Sequence, residues 1–112
     1  MLPRRNRLIK DLDIKKVKKS RNFLFSPCFK LSYLQNQLDI SRFTVVISVK
    51  ASKKATVRNR LKRQVRDVIH AKIKEIKSGY DIIISGNSKA VLLSYGDIRQ
   101  ELLRLFKKAG IL

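Results

Sequence analysis

Lys50-Ala51-Ser52-Lys53-Lys54-Ala55-Thr56-Val57-Arg58-Asn59-Arg60-Leu61-Lys62-Arg63-Gln64-Val65-Arg66 is the stretch from which the rest of the chain can be read. It carries eight cations (Lys50, Lys53, Lys54, Arg58, Arg60, Lys62, Arg63 and Arg66) and no acidic residue. From Arg58 onward, Leu61, Val65, Val68, Ile69, Ile73 and Ile76 recur at steps of three and four. That spacing predicts a long amphipathic helix, running to about Lys77, with those side chains buried. Arg58, Lys62 and Arg66 fall on another face, with Asn59 and Arg63 beside them. Thr56 or Ser52 is placed to cap the start, and Gly79 to end the helix.

The cations stand where stability alone would put Asp or Glu. A helix N-terminus is partly positive, so each Lys or Arg in its first turns costs roughly 0.3–1 kcal/mol at low salt. Arg58 and Arg60 fall in the first turn or so, with Lys62 and Arg63 just behind. Breaking a local rule without visible compensation is expected at functional sites. A phosphate at this end would satisfy both the free backbone N–H groups and the side chains. A solvated basic face is the ordinary reading of a charge run. Density, register and the missing acids favour an anion-binding face here.

Working outward, the 112 residues suit one domain, 1–112, with a single modest core. Lys and Arg outnumber Asp and Glu 27 to 8, a net charge of +19. Self-repulsion of that size destabilises a lone chain, so a polyanionic partner follows. Hydrophobic content of 44% separates it from a disordered basic tail. No apolar run approaches the ~18 residues that span a bilayer. The basic N-terminus lacks the apolar run of a secretory signal. Cys28 alone forms no internal disulfide or Cys-rich metal site, which suits a reducing cytoplasm.

Residues 1–10 read as a basic extended arm containing Pro3. Asp11 and Asp13 open a short helix to about Lys19; carboxylates complementing the helix N-terminus explain the pair better than a metal site does. Leu12 and Val17 are its inward or half-inward residues. Strand patterns cover 22–25 and 28–34, interrupted at Pro27, with Phe29, Leu31 and Tyr33 alternating against Cys28, Lys30 and Ser32. A clear strand covers 42–49, with Phe43, Val45, Ile47 and Val49 on one face. Tyr80 to Ser85 reads as a strand buried on both faces, hence central. Ser94, with Asp97 three residues on, resembles a capping box before a last helix at about 95–108. Its apolar stripe is Ile98, Leu102, Leu105 and Phe106. The predicted order is αβββαβα, an α+β or α/β sandwich with helices on a four-stranded mixed sheet.

Catalytic groups are scarce. His70 lies inside the long helix, no His/Cys cluster has metal-ligand spacing, and the four glycines are isolated. Neither a catalytic nor a metal residue is assigned. Nucleic-acid binding is the strong signal, but charge does not separate RNA from DNA: a basic helix enters a DNA major groove or lies along structured RNA.

The run Ala55-Thr56-Val57-Arg58-Asn59-Arg60-Leu61-Lys62-Arg63-Gln64-Val65-Arg66 resembles the signature helix of the bacterial ribonuclease P protein subunit. That family's pattern is Ala, two residues, Arg-Asn, two residues, Lys-Arg, two residues, Arg. Arg7-Leu8, Asp13 and Val17 fit its N-terminal helix, Ser48 with Lys50 its strand end, and Gly79-Tyr80-Asp81-Ile82-Ile83 its last strand. Leu93-Ser94-Tyr95 and Lys107-Lys108-Ala109-Gly110 fit its C-terminal helix. The resemblance covers nearly the whole chain in order.

What the resemblance implies is the protein subunit of an RNA enzyme, inactive alone and cytoplasmic. The catalytic RNA subunit, with Mg²⁺ bound mainly by the RNA, hydrolyses the 5′ leader from precursor tRNA and leaves a 5′-phosphate. The implied RNA-subunit surface is Lys50, Lys53, Lys54, Arg58, Asn59, Arg60, Lys62, Arg63 and Arg66. The implied leader cleft lies between the sheet and the N-terminal helix, at Ile14, Lys15, Lys18, Lys30 and Ser32. The family usually carries aromatics at the positions of Ile14, Lys18 and Ser32, so base stacking is not carried over residue by residue. The resemblance also implies a left-handed βαβ crossover, whereas pattern alone favours the common right-handed form. The competing readings are a ribosomal-type structural RNA-binding protein and a basic DNA-binding protein.

Overall fold

The computed structural model describes residues 2–112; Met1, the first residue of the basic arm, lies outside them. Its elements are α1 (Asp11–Lys19), β1 (Phe23–Phe25), β2 (Phe29–Gln35), β3 (Arg42–Ile47), α2 (Ala55–Lys72), β4 (Tyr80–Gly86) and α3 (Tyr95–Lys108). Short 3-10 turns occur at Arg4–Asn6 and Ala90–Leu92. The order is the expected αβββαβα. The four strands form one mixed sheet in the order β1-β2-β4-β3. β2 is antiparallel to β1 and β4, while β3 and β4 run parallel and are joined through α2.

β4 is buried on both faces because helices cover both. On one face, Phe29, Leu31, Phe43, Val45, Ile47, Ile82 and Ile84 meet Leu61, Val65, Val68 and Ile69 of α2. The α3 stripe of Ile98, Leu102, Leu105 and Phe106 closes that core. On the other face, Leu8 and Val17 pack on Ile83, with Ile14 and Leu34 half-buried beside them. Full burial of each such aliphatic contributes about 1.5–3 kcal/mol before entropy is counted. α1 therefore sits alone on the second face and leaves part of it open.

Several local expectations are corrected. The N-terminal segment is docked rather than extended freely: Leu2 and Leu8 are buried, and Leu8 N–H donates to the Phe43 carbonyl at 2.7 Å. Asn6 Nδ2 also donates to the Ser41 carbonyl at 2.9 Å. Leu12 is 73% exposed, because Ile14 and Val17, three residues apart, take the inward side of α1. α2 starts at Ala55, so Thr56 lies inside it, and Lys54 is an N-cap without a side-chain bond. Ser52 acts one turn earlier, its Oγ accepting from Lys54 N–H at 3.3 Å.

α2 ends at Lys72 rather than near Lys77. The chain continues in tight turns that still bury Ile76, which is why the apolar spacing outlasts the helix. Gly79, at φ +90, is thus not the helix stop; it shapes the approach to β4, and its carbonyl accepts from Asn36 N–H at 2.8 Å. β3 ends at Ile47, which leaves Val49 62% exposed. Ser94 caps α3, its Oγ accepting from Asp97 N–H at 3.2 Å.

Candidate nucleic-acid interface

The basic stretch divides into positions with different jobs. Lys50, Lys53 and Lys54 occupy the exposed connection ahead of α2, around the turn in which Ala51 N–H donates to the Ser48 carbonyl at 3.0 Å. Arg58 is half-buried and its Nη1 donates to the Ser52 carbonyl at 2.8 Å, so it ties the first turn of α2 to the loop before it. Arg60 leans the other way, Nη2 donating to the Val91 carbonyl at 2.9 Å. Lys62 is half-buried beside the apolar stripe, while Asn59, Arg63 and Arg66 stand exposed on the outer crest. The face expected to hold Arg58, Lys62 and Arg66 together is therefore a crest with two flanks. Among the described residues, none of these eight cations is in an ion pair; the three pairs found are Arg42–Asp13, Arg42–Asp81 and Lys72–Glu75.

Arg7 joins this surface from the N-terminal segment. With Arg63, Arg66 and Asp67 it lines an open cavity of about 410 Å³. Arg7 Nε donates to the Leu2 carbonyl at 3.0 Å, which orients its guanidinium. Sequence spacing did not bring Arg7 to the helix, because their shared cavity depends on the N-terminal segment docking alongside β3 at Phe43.

A second surface lies where α1 leaves the sheet open. Lys18, Lys30, Ser32, Val46, Ile83 and Ser85 line a groove of about 380 Å³ that contains no acidic side chain. Of the five cleft positions expected from sequence, Lys18, Lys30 and Ser32 meet there. Ile14 instead packs beneath α1, and Lys15 is exposed on α1 without lining the groove. Tyr33 is half-buried on the opposite, core-facing side. Phe23 and Phe25 are not among those five positions. The β1–β2 register pairs them with Ser32 and Lys30, placing both rings on the groove side. They are 44% and 63% exposed.

Besides the packing of Val17 and Ile14, one arginine ties α1 to the sheet. Arg42 forks onto Asp81 and also reaches Asp13 in the first turn of α1. The hydrogen bond to Asp81 raises the Arg42 pKa above its ordinary value, against the opposing effect of burial. Asp13 is thus both a helix-dipole partner and a tether. Cys28 is a buried thiol, and its pKa is raised by burial first and then by the Glu101 carboxylate. Among the described residues, no three His, Cys, Asp or Glu side chains converge as a metal site, and no helix is long and apolar enough to cross a membrane.

Comparison with known proteins points one way. The family model for Ribonuclease P matches residues 2–110. A ribonuclease P protein component of Synechocystis sp. is 47% identical over 76 residues, which cover 68% of this chain and 61% of that protein. That of Alkaliphilus oremlandii is 31% identical over 96% of this chain and 93% of its own length. The solved RNase P protein from Thermotoga maritima superposes with a TM-score of 0.83 at 30% identity, covering 91% of this chain and 96% of that one.

Proposed function

The chain belongs to the ribonuclease P protein family, and from that we propose that it is the protein subunit of a ribonuclease P holoenzyme. It acts as one RNA-binding domain over residues 1–112, inactive alone and working in the cytoplasm beside the catalytic RNA. The observation that carries this reading is the α2 surface, where clustered cations stand free of acidic partners among the described residues.

Lys50, Lys53 and Lys54 meet RNA phosphates ahead of the helix, and Asn59, Arg63 and Arg66 meet them along its crest. Arg58, Arg60 and Lys62 flank the crest, holding the helix start in place while adding charge. Neutralising phosphates releases counterions and strengthens RNA binding as salt falls. The groove under α1 takes the single-stranded 5′ leader of precursor tRNA, with Lys18 and Lys30 against its phosphates and Ser32 on its floor. Lys15 and Ile14 act from α1, the first by charge at a distance and the second by packing the helix in place.

Hydrolysis of the leader, leaving a 5′-phosphate on the tRNA, is the work of the RNA subunit. The chain offers little to hold the Mg²⁺ that this chemistry uses: among the described residues no three acidic, His or Cys side chains converge, and Asp13 and Asp81, brought together by Arg42, are both engaged by it. In this reading the RNA is the ion's main ligand, as the family resemblance implies, and the protein lowers the Mg²⁺ requirement by supplying cations near crowded phosphates. The test is reconstitution. Purified protein should accelerate precursor-tRNA cleavage by a bacterial ribonuclease P RNA at low Mg²⁺ and cleave nothing without it. No acceleration, with tight binding to duplex DNA or ribosomal RNA instead, would overturn the reading.

A further inference from the structure

We propose that Phe23 and Phe25, side by side on edge strand β1, form a stacking platform for one unpaired base of the RNA strand lying in the groove, with Lys30 as the hinge between ring and phosphate. The proposal rests on the leader reading above and adds to it a site on β1, at positions other than those where the family usually carries its aromatics.

The first support is orientation. β1 needs only Leu24 to face the core, and Leu24 packs there. Phe23 and Phe25 turn to the other side, opposite Ser32 and Lys30 of the groove. Alternation on a half-exposed edge strand favours polar residues at such positions, and exposed apolar edges are an aggregation liability. Two large aromatics in both places break that rule without serving the core.

The second support is geometry. The ring centroids are 5.3 Å apart and the planes cross at 77°, an edge-to-face pair in which each ring limits the other's motion. Lys30 Nζ lies 4.8 Å from the Phe23 centroid and 5.5 Å from that of Phe25. Lys30 also lines the groove with Lys18. One ammonium thus bridges the aromatic pair and the cationic floor. When a base stacks on a ring, Lys30 moves its charge from the π face to the phosphate next to that base, exchanging a cation–π contact for an ion pair.

The third support is chemistry. A groove without acidic lining beside two exposed rings suits a polyanion with unstacked planar groups, which is single-stranded nucleic acid. A duplex keeps its bases stacked internally and offers the rings nothing. Every base has a π face, so the platform tolerates sequence, and it detects the presence of a base rather than its edge.

The experiment uses holoenzyme assembled with a bacterial ribonuclease P RNA. Affinity is measured for mature tRNA, for precursor tRNA, and for precursors in which a single abasic nucleotide is walked along the leader. Proteins compared are the parent, Phe23→Leu, Phe25→Leu and Phe25→Tyr. Leu keeps apolar bulk on the strand, and thermal melts check folding. At one leader position the abasic substitution should weaken parent binding by roughly 5- to 150-fold. In Phe23→Leu or Phe25→Leu that penalty should shrink to less than about twofold, with mature tRNA affinity unchanged, while Phe25→Tyr retains it. A flat abasic scan, or a penalty that persists in both Leu variants, overturns the platform while a parent preference for precursor leaves the leader reading standing. Equal parent affinity for precursor and mature tRNA overturns both.

Discussion

Arg42 lies on Asp81 as a fork, Nε donating to Oδ1 at 2.8 Å and Nη2 to Oδ2 at 2.6 Å. The two residues are direct partners across the parallel β3–β4 ladder. Nη1 adds a longer contact to Asp13 at 3.4 Å, and Asn36 Nδ2 donates to the same Asp81 carboxylate at 2.8 Å. The first turn of α1 is thereby tied to the central strand, which fixes one wall of the groove.

Arg42→Leu should strand a carboxylate whose side chain is 7% exposed. Breaking a buried pair costs about 3–5 kcal/mol; Arg42 is partly exposed, so about 2–3 kcal/mol is expected here. Arg42→Lys should recover only part of it, because an ammonium cannot fork. The folded Arg42 pKa is raised above the unfolded one. Its stabilisation is therefore complete below the ordinary arginine range and is lost only as pH climbs through the raised folded value. Urea melts at about pH 6 and about pH 9 should give the same parent–variant difference.

Glu101 performs a related task on the other face. Its Oε2 accepts from Ser26 Oγ at 2.6 Å and from Cys28 N–H at 3.0 Å, pinning the turn between β1 and β2. Burial and this carboxylate raise the Cys28 thiol, so alkylation by iodoacetamide at neutral pH should be slow in the folded protein. Glu101→Gln removes the nearby negative charge and should speed alkylation at a given pH. Glu101→Ala should cost about 1–3 kcal/mol in a thermal or urea melt. The sign with pH follows from the raised folded value. Stability is unaffected while both states keep the proton, then falls as pH passes from the unfolded thiol value to the folded one.

The parts of the fold set by local rules were legible in the sequence. α1 is bounded by acids at its start and lysines at its end, and α3 by the Ser94 cap and its apolar stripe; both run very nearly where the spacing put them. β4 read as central because Asp81 to Ile84 offer no polar face, only a residue that Arg42 neutralises. The misses share a cause in tertiary placement. Ile73 and Ile76 keep helical spacing although the backbone has left the helix, since the core rewards their burial in either conformation. Phe23 and Phe25 could not be assigned a side, because that depends on the β1–β2 register. Arg7 could not be joined to Arg63, because the docking of the N-terminus is non-local. The basic helix was the easiest candidate to see, since its signal is a charge pattern that breaks a helix rule within a few residues.

On that helix, exposed crest and tethered flank should respond differently. Arg63→Ala and Arg66→Ala remove exposed cations, so folding stability should shift by no more than about 0.5 kcal/mol. Affinity for the ribonuclease P RNA should fall, and the slope of log affinity against log salt should flatten by about one unit or less per residue. Arg58→Ala also loses the bond to Ser52. It relieves an unfavourable helix-dipole term yet frees the loop, so it should weaken RNA binding without a gain in melting temperature. Unchanged RNA affinity in the double variant Arg58→Ala with Arg63→Ala would remove α2 from the interface.

Lys18 gives the sharpest test of the proposal that the groove takes a leader. It is exposed on α1 and lines the groove opposite Lys30, at a position where an aromatic would serve stacking and a cation serves phosphates. Charge contacts between exposed groups weaken as the Debye length shrinks from about 10 Å at 0.1 M salt toward about 3 Å at 1 M. Stacking is far less sensitive. The ratio of precursor to mature tRNA affinity isolates the leader, since contacts to the tRNA body cancel. In the parent holoenzyme this ratio should fall steeply with salt. In Lys18→Phe it should start lower at low salt and fall less steeply, by up to about one unit of log–log slope for the lost phosphate contact. The new ring should also make the ratio more dependent on a base being present at the facing nucleotide. Equal salt slopes for the two proteins would mean that Lys18 does not touch the leader, and the strand would then have to run nearer the β1 edge, along Phe23 and Phe25.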